Sequence, residues 1–106
     1  MRVIAKPALI QFWERFPDAE GSLKAWYGIM RQREYQNPNQ LKAEFRNASL
    51  LGNGYSVFNI AGNKYRLLVH IRYDVGIVFI KRVLTHEEYD QLNAAGTLIE
   101  RRNRNG

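Results

Sequence analysis

The stretch of the sequence richest in candidate chemical groups runs from Lys64 to Tyr73, KYRLLVHIRY. Side chains alternate along a β-strand, so its alternating pattern predicts one apolar face on a core and one open basic face. The predicted basic face holds Lys64, Arg66, Leu68, His70 and Arg72. Fixed cations without nearby acids attract polyanions, whereas solvation of an exposed sheet is the simpler interpretation.

A second candidate group begins at Thr85-His86-Glu87-Glu88. Threonine followed three residues later by glutamate is typical of a capping box, so Thr85 is the predicted N-cap of a helix. Helical spacing would then place Tyr89 and Asp90 on the same face as His86. Histidine can exchange a proton near neutral pH, and tyrosine can position a substrate or transfer a proton. A plain surface position is the simpler interpretation of a lone histidine.

The two groups meet if the chain forms a hairpin about Val75. Residues equidistant from Val75 then pair, so Arg66 lies opposite Leu84 and close to His86. An imidazole, a phenol and several cations around one concavity can cleave RNA. The ribose 2′-OH attacks the adjacent phosphorus, a base removes its proton, an acid protonates the departing 5′-oxygen, and cations stabilise the phosphorane. This reaction requires no metal.

The elements before these groups supply the core that must position them. Pro7 suits the first turn of a helix that stops at Pro17, and Asp18 is the predicted N-cap of a second helix. Asn37 and Pro38 begin a short third helix. Apolar stripes at helical spacing predict that the first two helices pack on each other and on the sheet. These stripes are Leu9, Phe12, Trp13 and Phe16, then Leu23, Trp26, Tyr27 and Met30.

The strands are predicted to form a three-stranded antiparallel meander. The predicted strands are Tyr55–Ala61, Lys64–Tyr73 and Ile77–Leu84, with an additional edge strand at Met1–Ile4. Gly62-Asn63 is predicted to be a two-residue hairpin link, because both residues tolerate positive φ. The order of elements predicts an α+β fold, with N-terminal helices packed on a small antiparallel sheet and a short C-terminal helix.

Composition limits the possible functions. The chain has 106 residues, a net charge of +6 and no cysteine, which excludes disulfides, thiolate metal sites and cysteine nucleophiles. With two histidines, we expect neither a metal site nor a cofactor. We find no signal-like run and no apolar segment approaching the roughly 20 residues that span a bilayer, so a cytoplasmic protein without membrane contact is expected. Residues 1–95 are predicted to form one domain and residues 96–106 a basic, flexible tail.

Several phrases resemble the HigB family of type II toxins, within the larger group of RelE-like toxins. They are RVIAKPALIQFWERFPDAEGSLKAWY, VFNIAGNKYRL, HIRYD and THEEYD, which follow in order over residues 2–93. The resemblance implies a RelE-like fold and an mRNA interferase, an endoribonuclease that cuts mRNA in the A site of the small ribosomal subunit during translation. It also implies a cognate antitoxin with a helix-turn-helix domain.

The resemblance also implies site residues. The family motif corresponds to Asn59, Asn63, Lys64, Arg66, Arg72, His86 and Tyr89. Our hypothesis for catalysis is the set Arg66, Arg72, His86 and Tyr89. Our hypothesis for RNA binding is the set Asn59, Asn63, Lys64, His70, Lys81 and Arg82. In this scheme His86 or Tyr89 handles the 2′-OH proton, the two catalytic arginines stabilise the phosphorane, and the lysines with Arg82 hold the RNA backbone.

Two other functions use the same features. A non-catalytic RNA-binding module could use the basic face, but Tyr65 and Tyr73 fall on the core side, which disfavours base stacking on the sheet. A DNA-binding regulator would need a basic recognition helix after a tight turn, whereas the first two helices carry aromatic stripes.

Overall fold

The structure is a computed structural model, and it describes residues 1–99. Its elements are β1 (Arg2–Ile4), α1 (Lys6–Arg15), a 3-10 turn (Pro17–Ala19), α2 (Glu20–Gln32), α3 (Pro38–Glu44), β2 (Ser49–Gly52), β3 (Tyr55–Ile60), β4 (Tyr65–Arg72), β5 (Ile77–Thr85) and α4 (His86–Ala95). The predicted α+β class is confirmed, as is the order of three N-terminal helices, a sheet and a short C-terminal helix.

The sheet has five strands in the order β1-β5-β4-β3-β2. The predicted meander corresponds to β3, β4 and β5, and the N-terminal strand lies at one edge as predicted. Two features of the predicted sheet were wrong, because β1 runs parallel to β5 and β2 adds a strand beside β3. The segment SLLG of β2 is short and exposed throughout, so it carries none of the alternation that reveals a half-buried strand.

The pairing of β4 with β5 brings the two candidate groups together. Arg66 lies opposite Leu84, as predicted, and Tyr65 lies opposite Thr85, the residue before α4. The register shifts after Leu68, where Lys81 is the extra residue of a β-bulge. The start of β4 therefore lies beside the start of α4.

The helices bury their apolar stripes against one face of the sheet. Leu9 of α1 and Leu23 of α2 have no exposed surface, and they pack with Leu67 and Val69 of β4. This cluster, the main core, confirms the predicted stripes and the predicted core-side face of β4. Tyr65 is one of its members, which leaves its ring unavailable on the open face of the sheet.

The opposite face of the sheet carries a second, separate apolar cluster, here called the second core. It consists of Val57, Leu68, Leu84 and Leu98, and Tyr89 of α4 packs against it. The predicted open basic face is therefore wrong at Leu68, which is 2% exposed. The cause is that α4 folds back over this part of the face. Leu98 lies beyond the predicted domain end at residue 95, and residues 100–106 of the predicted tail lie outside the described residues.

The entry into α2 differs from the prediction. Asp18 lies in the 3-10 turn, and Ala19 occupies the N-cap position of α2 without a side-chain hydrogen bond. The Asp18 carboxylate instead accepts hydrogen bonds from Lys64 Nζ at 2.9 Å and from the Tyr65 hydroxyl at 2.6 Å. An N-cap signal was thus present in the sequence, but the side chain is used for a long-range contact to β4.

The link between β3 and β4 is also longer than predicted. It spans residues 61–64, since β3 ends at Ile60 and β4 begins at Tyr65. The left-handed positions are Ala61 and Gly62, with φ of 53° and 68°. The predicted two-residue Gly-Asn link was therefore wrong, and Asn63 is available as part of an exposed turn.

Candidate active site

The first feature of the candidate site is the rigid start of α4. Thr85 Oγ1 accepts a hydrogen bond from the Glu88 backbone N–H at 3.1 Å, and Glu88 Oε1 accepts one from the Thr85 N–H at 2.9 Å. This is the predicted capping box. In addition, the His86 backbone N–H donates to the Lys64 carbonyl at 2.9 Å. His86 is therefore fixed at the junction of α4 with the start of β4.

The imidazole of His86 pairs with a carboxylate one helical turn further on. Its Nδ1 lies 2.9 Å from Asp90 Oδ2, and both side chains are about half exposed. A carboxylate beside one ring nitrogen favours the tautomer whose hydrogen is on that nitrogen, which leaves Nε2 of the neutral ring as the proton acceptor. This arrangement orients an exposed proton acceptor.

Arg66 provides a cation beside this imidazole-bearing helix. Its Nη1 donates to the carbonyls of Asn63 and Tyr65 at 3.0 and 3.2 Å, and its guanidinium lies 5.5 Å from the centre of the Tyr89 ring. Within residues 1–99 no carboxylate pairs with it. Arg66 is thus a positioned cation whose charge is available to a ligand.

Other predicted residues surround Arg66. Asn59 is directly opposite Arg66 in the β3–β4 pair, and Arg82 is in the diagonal position on β5, typically about 7–8 Å away between Cα atoms. We call the residues gathered here the β4-start group. It consists of Asn59, Asn63, Lys64, Arg66, Arg82, His86 and Tyr89.

Lys64 belongs to the β4-start group but is partly neutralised. Its ammonium forms the ion pair with Asp18 described above, with side-chain exposures of 66% and 46%. The Tyr65 hydroxyl and the Lys64 ammonium together lower the pKa of Asp18, and the same hydrogen bond raises the pKa of Tyr65. An anionic ligand of Lys64 would therefore compete with Asp18 for its charge.

Of the remaining predicted residues, His70 and Arg72 lie toward the other end of β4, and Lys81 lies at the β-bulge opposite Leu68 and Val69. We call His70, Arg72 and Lys81 the β4-end group. Arg72 is six residues from Arg66, which corresponds to about 20 Å along an extended strand. Its Nε and Nη2 bind both oxygens of Asp74 at 3.0 and 2.7 Å. This bidentate pair raises the pKa of Arg72 and lowers that of Asp74.

His70 is held by structural contacts. Its Nε2 lies 3.0 Å from the Asn53 carbonyl, and its ring packs edge-on against Tyr55 at 4.7 Å between centres. Lys81 Nζ lies 5.7 Å from the centre of the Phe79 ring, the residue opposite His70. The predicted catalytic set therefore does not meet at one point, because His86, Tyr89 and Arg66 are together and Arg72 is apart.

Two residues of the site were missed by sequence reasoning. Asp90 was placed on the face of His86, yet it was not included in the site, although its spacing of four residues was a usable signal. Asp18 lies 46 residues before Lys64, and no local pattern links them. The part of the chain that the structure describes has no group of three histidine or acidic side chains able to hold a metal ion. Within the same part, no helix has the length and apolarity that crossing a membrane requires.

These features define a small basic α+β protein with a histidine–carboxylate pair beside an available arginine. A family model described as HigB_toxin, RelE-like toxic component of a toxin-antitoxin system, matches residues 19–92. The chain therefore belongs to the HigB family of RelE-like toxins, which confirms the resemblance found in the sequence.

Individual relatives agree with the family assignment. The chain is 31% identical to the mRNA interferase toxin HigB of Escherichia coli K12 over 97 residues, or 89% of this chain and 92% of that protein. It has the same identity and coverage with the mRNA interferase HigB of Shigella flexneri. It is 23% identical to the mRNA interferase HigB of Escherichia coli O6:H1 over 94 residues, or 87% of this chain and 91% of that protein.

Proposed function

We propose that this protein is an endoribonuclease toxin that cleaves mRNA, in a ribosome-dependent manner, by attack of the ribose 2′-OH. The observation that carries the proposal is the β4-start group, in which an oriented imidazole, a phenol and an available guanidinium lie together on a basic surface. The names of the relatives, mRNA interferase HigB, support the same substrate.

The proposed reaction uses His86 as the base. Its Nε2 removes the 2′-OH proton while Asp90 holds Nδ1, and a bond forms between the 2′-oxygen and phosphorus. Arg66 stabilises the charge of the phosphorane, as its fork of N–H groups matches phosphate oxygens. The bond to the 5′-oxygen then breaks, and the Tyr89 hydroxyl gives that oxygen its proton. The products are a 2′,3′-cyclic phosphate and a 5′-hydroxyl.

The remaining predicted residues bind RNA in this proposal. Asn59, Asn63, Lys64 and Arg82 contact the nucleotides next to the scissile phosphate. The β4-end group contacts the RNA backbone further along, and Arg72 acts there rather than in the chemical step, because it is about 20 Å from Arg66.

The proposed setting is the cytoplasm, with mRNA in the A site of the small ribosomal subunit. The proposed inhibitor is a cognate antitoxin with a helix-turn-helix domain, and the net charge of +6 favours acidic antitoxin residues at the contact.

The test is to map new RNA ends on an mRNA incubated with purified protein, with and without translating ribosomes. We expect in-frame cuts only during translation, ending in 2′,3′-cyclic phosphates. His86→Ala should lose most of the cutting, whereas Glu87→Ala, an exposed neighbour on the same helix, should retain it. Cuts on free RNA would contradict the proposed ribosome dependence but not the nuclease activity. Absence of cuts in both conditions would refute the nuclease and favour a non-catalytic RNA-binding module.

A further inference from the structure

A cavity of about 620 Å³ lies between α2, the segment after α3, and β3. Its lining includes Trp26, Phe45, Asn47, Phe58, Asn59 and Asn63. The indole N–H of Trp26 has no hydrogen-bond partner among the described residues, and its ring packs edge-on against Phe58 at 5.5 Å between centres. The cavity thus combines an aromatic wall with several amide groups.

The cavity continues around the free edge of β3. β2 pairs only with Tyr55, Ser56 and Val57, so the outer edge of β3 beyond Val57 has no strand neighbour within residues 1–99. The side chains of Phe58 and Asn59 point to opposite faces of the sheet, yet both line the cavity. The cavity therefore connects the helix-covered face, at Phe58, with the face that carries Arg66.

The lining matches the chemistry of a nucleobase. Unstacked RNA bases are recognised by stacking on aromatic rings and by hydrogen bonds to their edges. Phe45 is half-buried and packs on Phe58 at 4.9 Å between centres, which leaves part of its ring toward the cavity. Asn47, Asn59 and Asn63 are exposed, and each amide offers both donors and an acceptor.

The position of the cavity links it to the candidate active site. Asn59 is directly opposite Arg66, so their Cβ atoms are about 4.5–5.5 Å apart, as is typical for such pairs. A base that enters the cavity beside Asn59 would then belong to a nucleotide at or next to a phosphate held by Arg66.

We propose that this cavity receives one unstacked base of the substrate RNA and sets the base preference of cutting. The proposal rests on the proposed function in that it takes RNA as the ligand. The open edge of β3 also carries the unpaired backbone groups that a protein segment would use, and antitoxin binding separates that occupant from a base.

The first experiment detects the base directly. The protein has two tryptophans, so the ¹⁵N-labelled chain gives two indole signals, and Trp13→Phe assigns the one from Trp26. We expect saturable shifts of the Trp26 signal with nucleoside 5′-monophosphates, differing among the four bases, and none with ribose 5-phosphate. Equal responses to all of these compounds, or no response, would overturn the proposal. A response to the antitoxin alone would assign the cavity to a protein segment and also overturn it.

The second experiment fills the cavity. Ala25 is exposed on α2 and lines the cavity, so Ala25→Met adds a flexible apolar side chain without disturbing the core. We expect the apparent affinity for nucleotides, measured from the Trp26 signal, to fall at least about tenfold. We also expect the mapped cuts to lose their base preference. Ala43→Met is the matched control on α3, exposed and outside the cavity, and should change neither measurement.

The two proposals can fail separately. Saturable nucleotide binding at Trp26 in a protein that cuts no RNA would support the cavity and refute the nuclease. RNA cutting whose base preference is unchanged in Ala25→Met would support the nuclease and overturn the cavity proposal.

Discussion

Arg66 and Arg72 offer a comparison between two identical side chains on one strand. Both project from the same face of β4, and both were predicted to stabilise the phosphorane. We expect Arg66→Ala to slow the chemical step strongly and Arg72→Ala to leave it nearly unchanged. The physical reason is their different distance from His86 and their different pairing with acids.

The magnitudes follow from the geometry. Loss of a fixed donor aimed at developing charge typically costs about 10²–10³ in rate, which is the effect expected for Arg66→Ala. Arg72 is about 20 Å further along the strand. At that distance a unit charge in water contributes roughly 0.2 kcal/mol before screening. Asp74 accepts two hydrogen bonds from one edge of the guanidinium, at Nε and Nη2, and salt screens charges beyond about 10 Å. Arg72→Ala should therefore change the rate less than about twofold.

The assay is single-turnover cleavage of mRNA on programmed ribosomes, with toxin in excess over ribosomes. Saturating toxin isolates the rate of the chemical step, and the concentration dependence reports binding separately. Arg66→Lys keeps the charge but removes the fork, so it should recover only part of the lost rate. Thermal unfolding of each variant controls for folding, since Arg66 also contacts Tyr89.

A rate loss in Arg72→Ala equal to that in Arg66→Ala would refute this reasoning. It would mean that RNA or the ribosome brings the two ends of β4 to one reacting centre. Full activity of Arg66→Ala at saturating toxin would remove Arg66 from the chemistry.

Two further predictions concern carboxylates. Asp90→Asn keeps an acceptor for His86 Nδ1, so it should retain more single-turnover activity than Asp90→Ala. For Asp90→Ala we expect a loss of about tenfold, which is part of the roughly 10²–10⁴ that acid–base catalysis contributes. Equal losses in the two variants would argue against a positioning role for Asp90. Asp18 has a lowered pKa, so its stabilising contribution is present above the unfolded pKa near 3.8 and is lost as pH falls through the folded pKa. Asp18→Asn should therefore have a lower urea midpoint than the wild type at pH 6, and this deficit should shrink as the pH is lowered below 3.8. A deficit that does not change with pH would contradict the prediction.

Local patterns in the sequence predicted the parts of the fold that depend on local physics. The apolar stripes of α1 and α2, the alternation of β4 and the capping box at Thr85 each reflect one element and its own periodicity. The pairing of Arg66 with Leu84 followed from a single turn, so it was also accessible. These features are sufficient to bring His86 and Arg66 together.

Features that depend on distant contacts were not accessible. Asp18 reads as an N-cap, and only the folded chain brings Lys64 within 2.9 Å of it. Leu68 reads as an interruption of a basic face, whereas it forms the second core because α4 returns over the sheet. The length of β4 already implied that Arg72 lies far from Arg66. The alternating pattern placed both arginines on one face of the strand, so by itself it gave no reason to assign them to different parts of the site.

The second core has a consequence for local stability. α4 has no fully buried residue, and its apolar contacts with the sheet are made through Tyr89 and Leu92 rather than through the main core. Segments with few buried contacts open at a smaller free energy than the global unfolding of the domain. The amides of α4 should therefore exchange with solvent before those of β4. We therefore expect the helix that carries His86 to open as a unit of its own, and a ligand held between α4 and Arg66 would suppress this opening without adding to the main core.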